Sequence, residues 1–132
     1  MCDFGTGFKQ PELVKTRPVI VLTPRMDGRK NLVTVVGLST VAPDPVRPFH
    51  CRLPSKSLPI LRDFRVDETW VKGDMVYAVG FHRLNLIRLP GRGSAGKRQY
   101  FLERLSRERM REVYHCVLHG LSLGDLAKFL PE

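Results

Sequence analysis

No stretch of this chain approaches the ~18 consecutive apolar residues that a membrane-spanning helix requires, so a helical span is excluded. The opening MCDFGTGFKQPE lacks the basic start and apolar run of a secretory signal, and a cytoplasmic protein is expected. Cysteine is scarce: Cys2, Cys51 and Cys116 are odd in number, widely spaced and free of any C-x-x-C, which excludes a disulfide framework. His50-Cys51 and His115-Cys116, with His119 one helical turn beyond, carry soft donors suited to zinc. Without a C-x-x-C they read as partly buried residues, and no metal or other cofactor is expected. Negative charge is also in short supply. Against 22 Lys and Arg stand only 13 Asp and Glu, a formal net charge of +9. The segment from Arg83 to Arg111 holds nine basic and two acidic residues, which points to a polyanion or an acidic protein partner.

What is present fits one soluble domain over residues 1–132, with 42% hydrophobic and 27% charged residues. TRPVIVLTP (Thr16–Pro24) and NLVTVVGLST (Asn31–Thr40) read as strands, joined through the turn dipeptide Asp27-Gly28. PFHCRLP (Pro48–Pro54) alternates as a third strand. TWVKGDMVYAVGFHRLNLIRL (Thr69–Leu89) supplies two more, broken near Gly73 or Gly80, and RQYFLERL opens with a sixth. Prolines at 43, 45, 48, 54 and 59 confine the stretches around them to loops. The clear helix begins after Leu105. Ser106 is its N-cap, Leu105 and Met110 form a staple, and Met110, Val113, Tyr114, Val117 and Leu121 recur on one face. Gly120 reads as its stop, and a second short helix is expected over Ser122–Leu130. The fold class is mainly β with a C-terminal helix (α+β), a small curled sheet or barrel.

LPGRGSAGKRQYFLERL (Leu89–Leu105) matches both G-x-G-x-x-G and G-x-x-x-x-G-K. A phosphate-binding loop of that kind needs a buried strand before it, a helix after it and Ser or Thr following the Lys. Here Arg98 stands in that place and strand-like residues follow, so the segment reads as a basic loop between two strands. Arg92, Lys97 and Arg98 remain candidates for contact with a phosphate backbone.

PELVKTRPVIVLTP, VVGLSTVAP and WVKGDMVYAV, in that order, resemble the MazF/PemK family of toxins from bacterial toxin–antitoxin pairs. Glu12 stands five residues before Arg17-Pro18, which opens an apolar strand, as in that family. Gly37-Leu38-Ser39-Thr40 occupies the place of the family's Pro-(Ile/Cys)-Thr-(Thr/Ser), and Lys72-Gly73-Asp74 that of Arg-Cys-Asp. The resemblance implies an SH3-like small β-barrel, MazF/PemK/CcdB-like, that forms a homodimer and pairs with a cognate antitoxin protein. It also implies metal-independent cleavage of single-stranded RNA. Only Met1-Cys2-Asp3-Phe4 corresponds to the family's full first strand, which predicts an open sheet edge beside the site.

Such cleavage uses the RNA's own 2′-OH and needs a base, an acid for the leaving 5′ oxygen, and donors for the phosphorane. By resemblance Arg17 supplies permanent planar donors. Ser39 and Thr40 offer hydroxyls, and Asp74 or Glu12 is the base. Lys15, Arg25, Arg29, Lys30, Lys72, Arg92, Lys97 and Arg98 are the RNA-binding candidates. Trp70 could stack a base, although a lone strand tryptophan is more often core. Two other functions fit the same fold. One is a non-catalytic toxin that binds a protein target, as CcdB binds DNA gyrase. The other is a non-catalytic RNA-binding domain.

Overall fold

The computed structural model describes residues 1–5, 7–13, 15–23, 26–54, 68–93, 96–101 and 103–131. Among these the elements run β1 (Cys2–Asp3), β2 (Thr16–Arg17), β3 (Val19–Val21), β4 (Leu32–Ser39), β5 (His50–Leu53), β6 (Thr69–Gly80), β7 (Arg88–Arg92), β8 (Arg98–Tyr100) and α1 (Arg107–Gly120). The chain is mainly β with one C-terminal α-helix, as its patterning predicts. An antiparallel sheet in the order β3-β4-β6-β5 forms its centre, with β1-β2 and β7-β8 as separate pairs.

The run expected as one strand over Thr16–Pro24 is two strands, because Pro18 has no N–H to continue a ladder. Arg17 pairs with Cys2 in one sheet while Val19 pairs with Gly37 in the next. Pro18 is fully buried at the switch, and its carbonyl accepts from Leu38 N–H at 3.2 Å. Pro24 itself lies outside the described residues, as do residues 55–67, which include Pro59. Asp27-Gly28 does turn the chain: Gly28 has φ +77° and Arg29 N–H donates to Met26 O at 3.2 Å.

The break expected near Gly73 is a bulge inside one continuous strand. Val36 pairs with Val76 but Gly37 pairs with Lys72, so Gly73, Asp74 and Met75 are extra on β6. An insertion of this kind bends and twists the strand that carries it. The strand ends at Gly80, where the 3-10 turn Phe81–Arg83 begins.

The two faces of the sheet are buried separately. Towards α1, Ile20, Leu22, Val36, Leu38, Leu53 and Val71 meet Val113 and Val117, with Met110, Tyr114 and Leu105 alongside. Tyr114 anchors this packing by donating its hydroxyl to Leu22 O at 2.9 Å. On the opposite face Cys2, Phe4, Leu13, Val33, Val35 and Val79 pack with Phe8, Val19, Met75, Tyr77 and Leu84. The short first strand leaves less open edge than expected. Cys2 pairs with Arg17 on one side and bridges Leu84 on the other, and Asn85 N–H donates to Met1 O at 2.9 Å.

α1 begins as predicted, with Ser106 Oγ accepting from Arg109 N–H at 3.2 Å. Its end is different. Leu121 is 55% exposed rather than part of the core stripe, and the left-handed residue is Ser122, at φ +61°. Gly120 instead lies against the sheet. A Cβ there would run into the Gly73 carbonyl, just as one on Gly73 would meet the Cys116 carbonyl. The second helix is a 3-10 segment, Gly124–Phe129. The described glycines of the double motif belong to the β7-β8 pair, with Gly91 and Gly96 at positive φ, and the next element among the described residues is strand β8, not a helix.

Candidate functional site

Alternation along β4 and β6 sends Leu38 and Val71 towards α1, and therefore Ser39, Gly37, Trp70 and Lys72 to the other face. Cross-strand partners share a face, so two rows of residues cross the sheet there. Gly37 pairs with Lys72 and Lys72 with His50; Ser39 pairs with Trp70 and Trp70 with Arg52. Val19 pairs with Gly37, and the bond from Leu38 to Pro18 continues that alignment, bringing Arg17 beside Ser39. Residues that are up to 55 positions apart in sequence, Arg17 and Lys72, thus come to one face.

Arg17 is half-buried. Its Nε is shielded from solvent and has no hydrogen-bond partner among the described residues. A buried donor without an acceptor is uncommon in a folded protein. Ser39 is buried and its Oγ accepts from Val41 N–H at 3.2 Å, which turns the chain after β4. Its hydroxyl proton is left to donate elsewhere. Thr40 follows at the half-buried end of the strand.

His50 is the residue that sequence reasoning misses, because the His-Cys pairs read as core or zinc-ligand candidates. It sits directly across from Lys72, with its ring edge-on to Phe49 at 4.5 Å. Burial lowers its pKa first, the Lys72 charge lowers it further, and Asp74 opposes both. Its Nδ1 accepts from Arg47 N–H at 3.0 Å. Both effects favour the neutral ring with its proton on Nε2. The signal lies in PFHCRLP, where His50 and Arg52 alternate away from Cys51 and Leu53. The partner strand cannot be read from that stretch.

Asp74 is exposed at the bulge, close enough to His50 for its charge to be felt. Glu12 is engaged locally: its Oε2 accepts from Lys9 N–H at 2.8 Å, closing the turn in which Glu12 N–H donates to Lys9 O. The next residue, Leu13, fills the space over Gly37, so the Glu12 loop covers one end of the face. Trp70 belongs to neither core cluster. It is half-buried, and its Nε1 donates to Glu68, which also pairs with Arg52 at 3.3 Å.

The basic candidates do not form one cluster. Lys15 is exposed just before β2. Arg29 and Lys30 sit in the β3-β4 turn, at the opposite end of β4 from Ser39. Eight strand residues put them roughly 25 Å from the Arg17 end. Lys97 and Arg98 are exposed on the separate β7-β8 hairpin, where Arg92 ends β7. Arg25 lies outside the described residues. The candidate zinc donors are split as well, since His50 and Cys51 alternate to opposite faces of β5.

The chain resembles known proteins in sequence and in fold. Residues 1–121 match the sequence profile of the PemK-like, MazF-like toxin of type II toxin–antitoxin systems. The uncharacterized protein YifN of Escherichia coli (strain K12) is 29% identical over 118 residues, covering 88% of this chain and 73% of YifN. The Mycobacterium tuberculosis toxin MazF-mt6 superposes with a TM-score of 0.55 at 14% identity, covering 85% of this chain and 92% of that toxin. That likeness extends to the curled antiparallel sheet with its single C-terminal helix.

Proposed function

Because the chain belongs to the PemK-like, MazF-like toxin family of type II toxin–antitoxin systems, we propose that it is a sequence-selective, metal-independent endoribonuclease. It cuts single-stranded RNA by attack of the 2′-OH on the adjacent phosphate, leaving a cyclic phosphate. A cognate antitoxin neutralises it, and it acts as a homodimer. The observation that carries this reading is the half-buried Arg17, whose buried Nε has no hydrogen-bond partner among the described residues and whose place in the strand register is in line with Ser39. A phosphate placed there gives that donor an oxygen to bind.

Each neighbouring group then has a part in the reaction. Arg17 spans two non-bridging oxygens and meets the charge that grows on the phosphorane. Ser39 adds a hydroxyl donor. Neutral His50 offers Nε2–H as a further donor, since Nδ1 is already accepting from Arg47. Asp74 is the carboxylate free to take the 2′-OH proton, because the Glu12 carboxylate is held by the turn at Lys9. The Lys72 ammonium can protonate the leaving 5′ oxygen. Trp70, at the edge of the face, presents an aromatic surface for a base.

The test is incubation of the purified protein with long RNA in excess EDTA, comparing the wild type with a folded Arg17→Ala variant. Cleavage by the wild type alone, with cyclic-phosphate ends, supports the proposal. RNA binding with no cleavage by either protein would favour the non-catalytic RNA-binding reading. Neither binding nor cleavage, with capture of a protein target, would favour a CcdB-like toxin.

A further inference from the structure

Cys51 and Cys116 lie on the face of the sheet away from the proposed RNA site. Cys51 alternates towards α1, packing against the core between sheet and helix, and Cys116, buried on α1, lines the same cavity. Each thiol shifts the other's titration, Cys51 down and Cys116 up. They share an open cavity of about 390 Å³ with Glu108, Arg111, Glu112 and His115, so a small polar oxidant can reach them. Close packing holds them there, because Gly73 on β6 leaves no room between itself and the Cys116 carbonyl. Cys2, the third thiol, is buried in the opposite core cluster.

We propose that Cys51 and Cys116 form an oxidation site for hydrogen peroxide and small hydroperoxides, closing to an intramolecular disulfide that fastens β5 to α1. The environment assigns different parts to the two sulfurs. The thiolate of Cys51 is favoured because the Cys116 thiol stabilises it and it feels the charge of Arg109, against burial and Glu112. Cys116 keeps its proton because Cys51 and burial both disfavour its thiolate. In the first step the Cys51 thiolate attacks one peroxide oxygen. An S–O bond forms, the O–O bond breaks, and the sulfur becomes a sulfenic acid as hydroxide or alkoxide leaves. In the second step the Cys116 sulfur, losing its proton, attacks the Cys51 sulfur. The S–S bond forms, the S–O bond breaks, and water leaves. Two thiols are oxidised and one peroxide is reduced. The resulting tie lies one residue from His50, on the strand that presents it to the other face.

The experiment treats the full chain with stoichiometric hydrogen peroxide, blocks remaining thiols after unfolding, and reads intact mass and cross-linked peptides. The readout is chemical and does not depend on RNA cleavage. The expected result is loss of two hydrogens, a Cys51–Cys116 peptide, label at Cys2 alone, and a higher unfolding midpoint that dithiothreitol reverses. Cys116→Ala should stop at a Cys51 sulfenic acid that dimedone traps, while Cys51→Ala should leave Cys116 unreacted. Recovery of all three thiols from folded, peroxide-treated wild type would overturn the proposal. A cross-link through Cys2 or between chains would do the same. The wild-type peptide map decides the matter even if either variant fails to fold.

Discussion

The Cα of Gly120, last residue of α1, lies against the carbonyl of Gly73 in the β6 bulge, with no space for a side chain between them. The helix therefore crosses the sheet at backbone distance. The same bulge carries Asp74 and follows Lys72, so this crossing helps to set where the proposed site's charged residues stand.

Gly120→Ala should destabilise the protein although alanine is the better helix former by about 1 kcal/mol. An added methyl group against backbone cannot be relieved by a rotamer change, and overpacking of this kind costs about 1–3 kcal/mol. Gly73→Ala should cost at least as much. Urea unfolding checks both, and a stabilised Gly120→Ala would show that the residue serves only as a helix stop.

Arg17→Ala should lower RNA cleavage by about 10²-fold or more while the domain stays folded, because it removes donors aimed at the phosphorane. Arg17→Lys should restore little, since an ammonium does not span two oxygens. Single-turnover rates on one RNA, with circular dichroism for the fold, provide the check. Wild-type rates in a folded Arg17→Ala protein would remove Arg17 from the site.

His50 gives stability a defined pH slope. Its folded-state pKa lies below its ordinary value of 6.5, through burial and then Lys72. The unfolded chain therefore binds more protons between the two values, and stability must rise with pH across that window. The His50 contribution should be fully present above pH 6.5 and lost as pH falls towards its folded-state pKa. His50→Asn keeps an acceptor for Arg47 N–H but does not titrate, so its stability should change less over the same range. Denaturant midpoints from pH 7.5 to 5 would measure this, and identical slopes would rule out the assignment.

Neutralising Lys97 and Arg98 together should weaken RNA binding similarly across sequences. The slope of log affinity against log salt should fall by roughly 0.7 for each RNA phosphate that the variant no longer neutralises. These residues lie on their own hairpin, so cleavage of bound RNA should persist. An unchanged salt slope together with weaker antitoxin binding would assign the hairpin to the protein partner.

Cleavage should also survive excess EDTA, and the purified protein should carry no stoichiometric zinc. Elemental analysis finding one zinc per chain would redirect attention to Cys51, His115 and Cys116, which line one cavity.

Local pattern alone determined much of this molecule. Strand alternation, the Asp27-Gly28 turn and the Ser106 cap are short-range effects, each set by a few neighbouring residues. Glu12, Arg17-Pro18, Gly37–Thr40 and Lys72–Asp74, taken in order, were enough to suggest the family. The tertiary structure decided which of those residues stand together, because strand partners are chosen by pairing across long stretches of chain. It brought His50 opposite Lys72, occupied Glu12 with its own turn, and sent Arg29 and Lys30 to the far end of the sheet. Gly73 and Gly120 show the reason most directly. Each looks locally like a strand break or a helix stop, and only the crossing of two distant backbones requires that both lack a side chain.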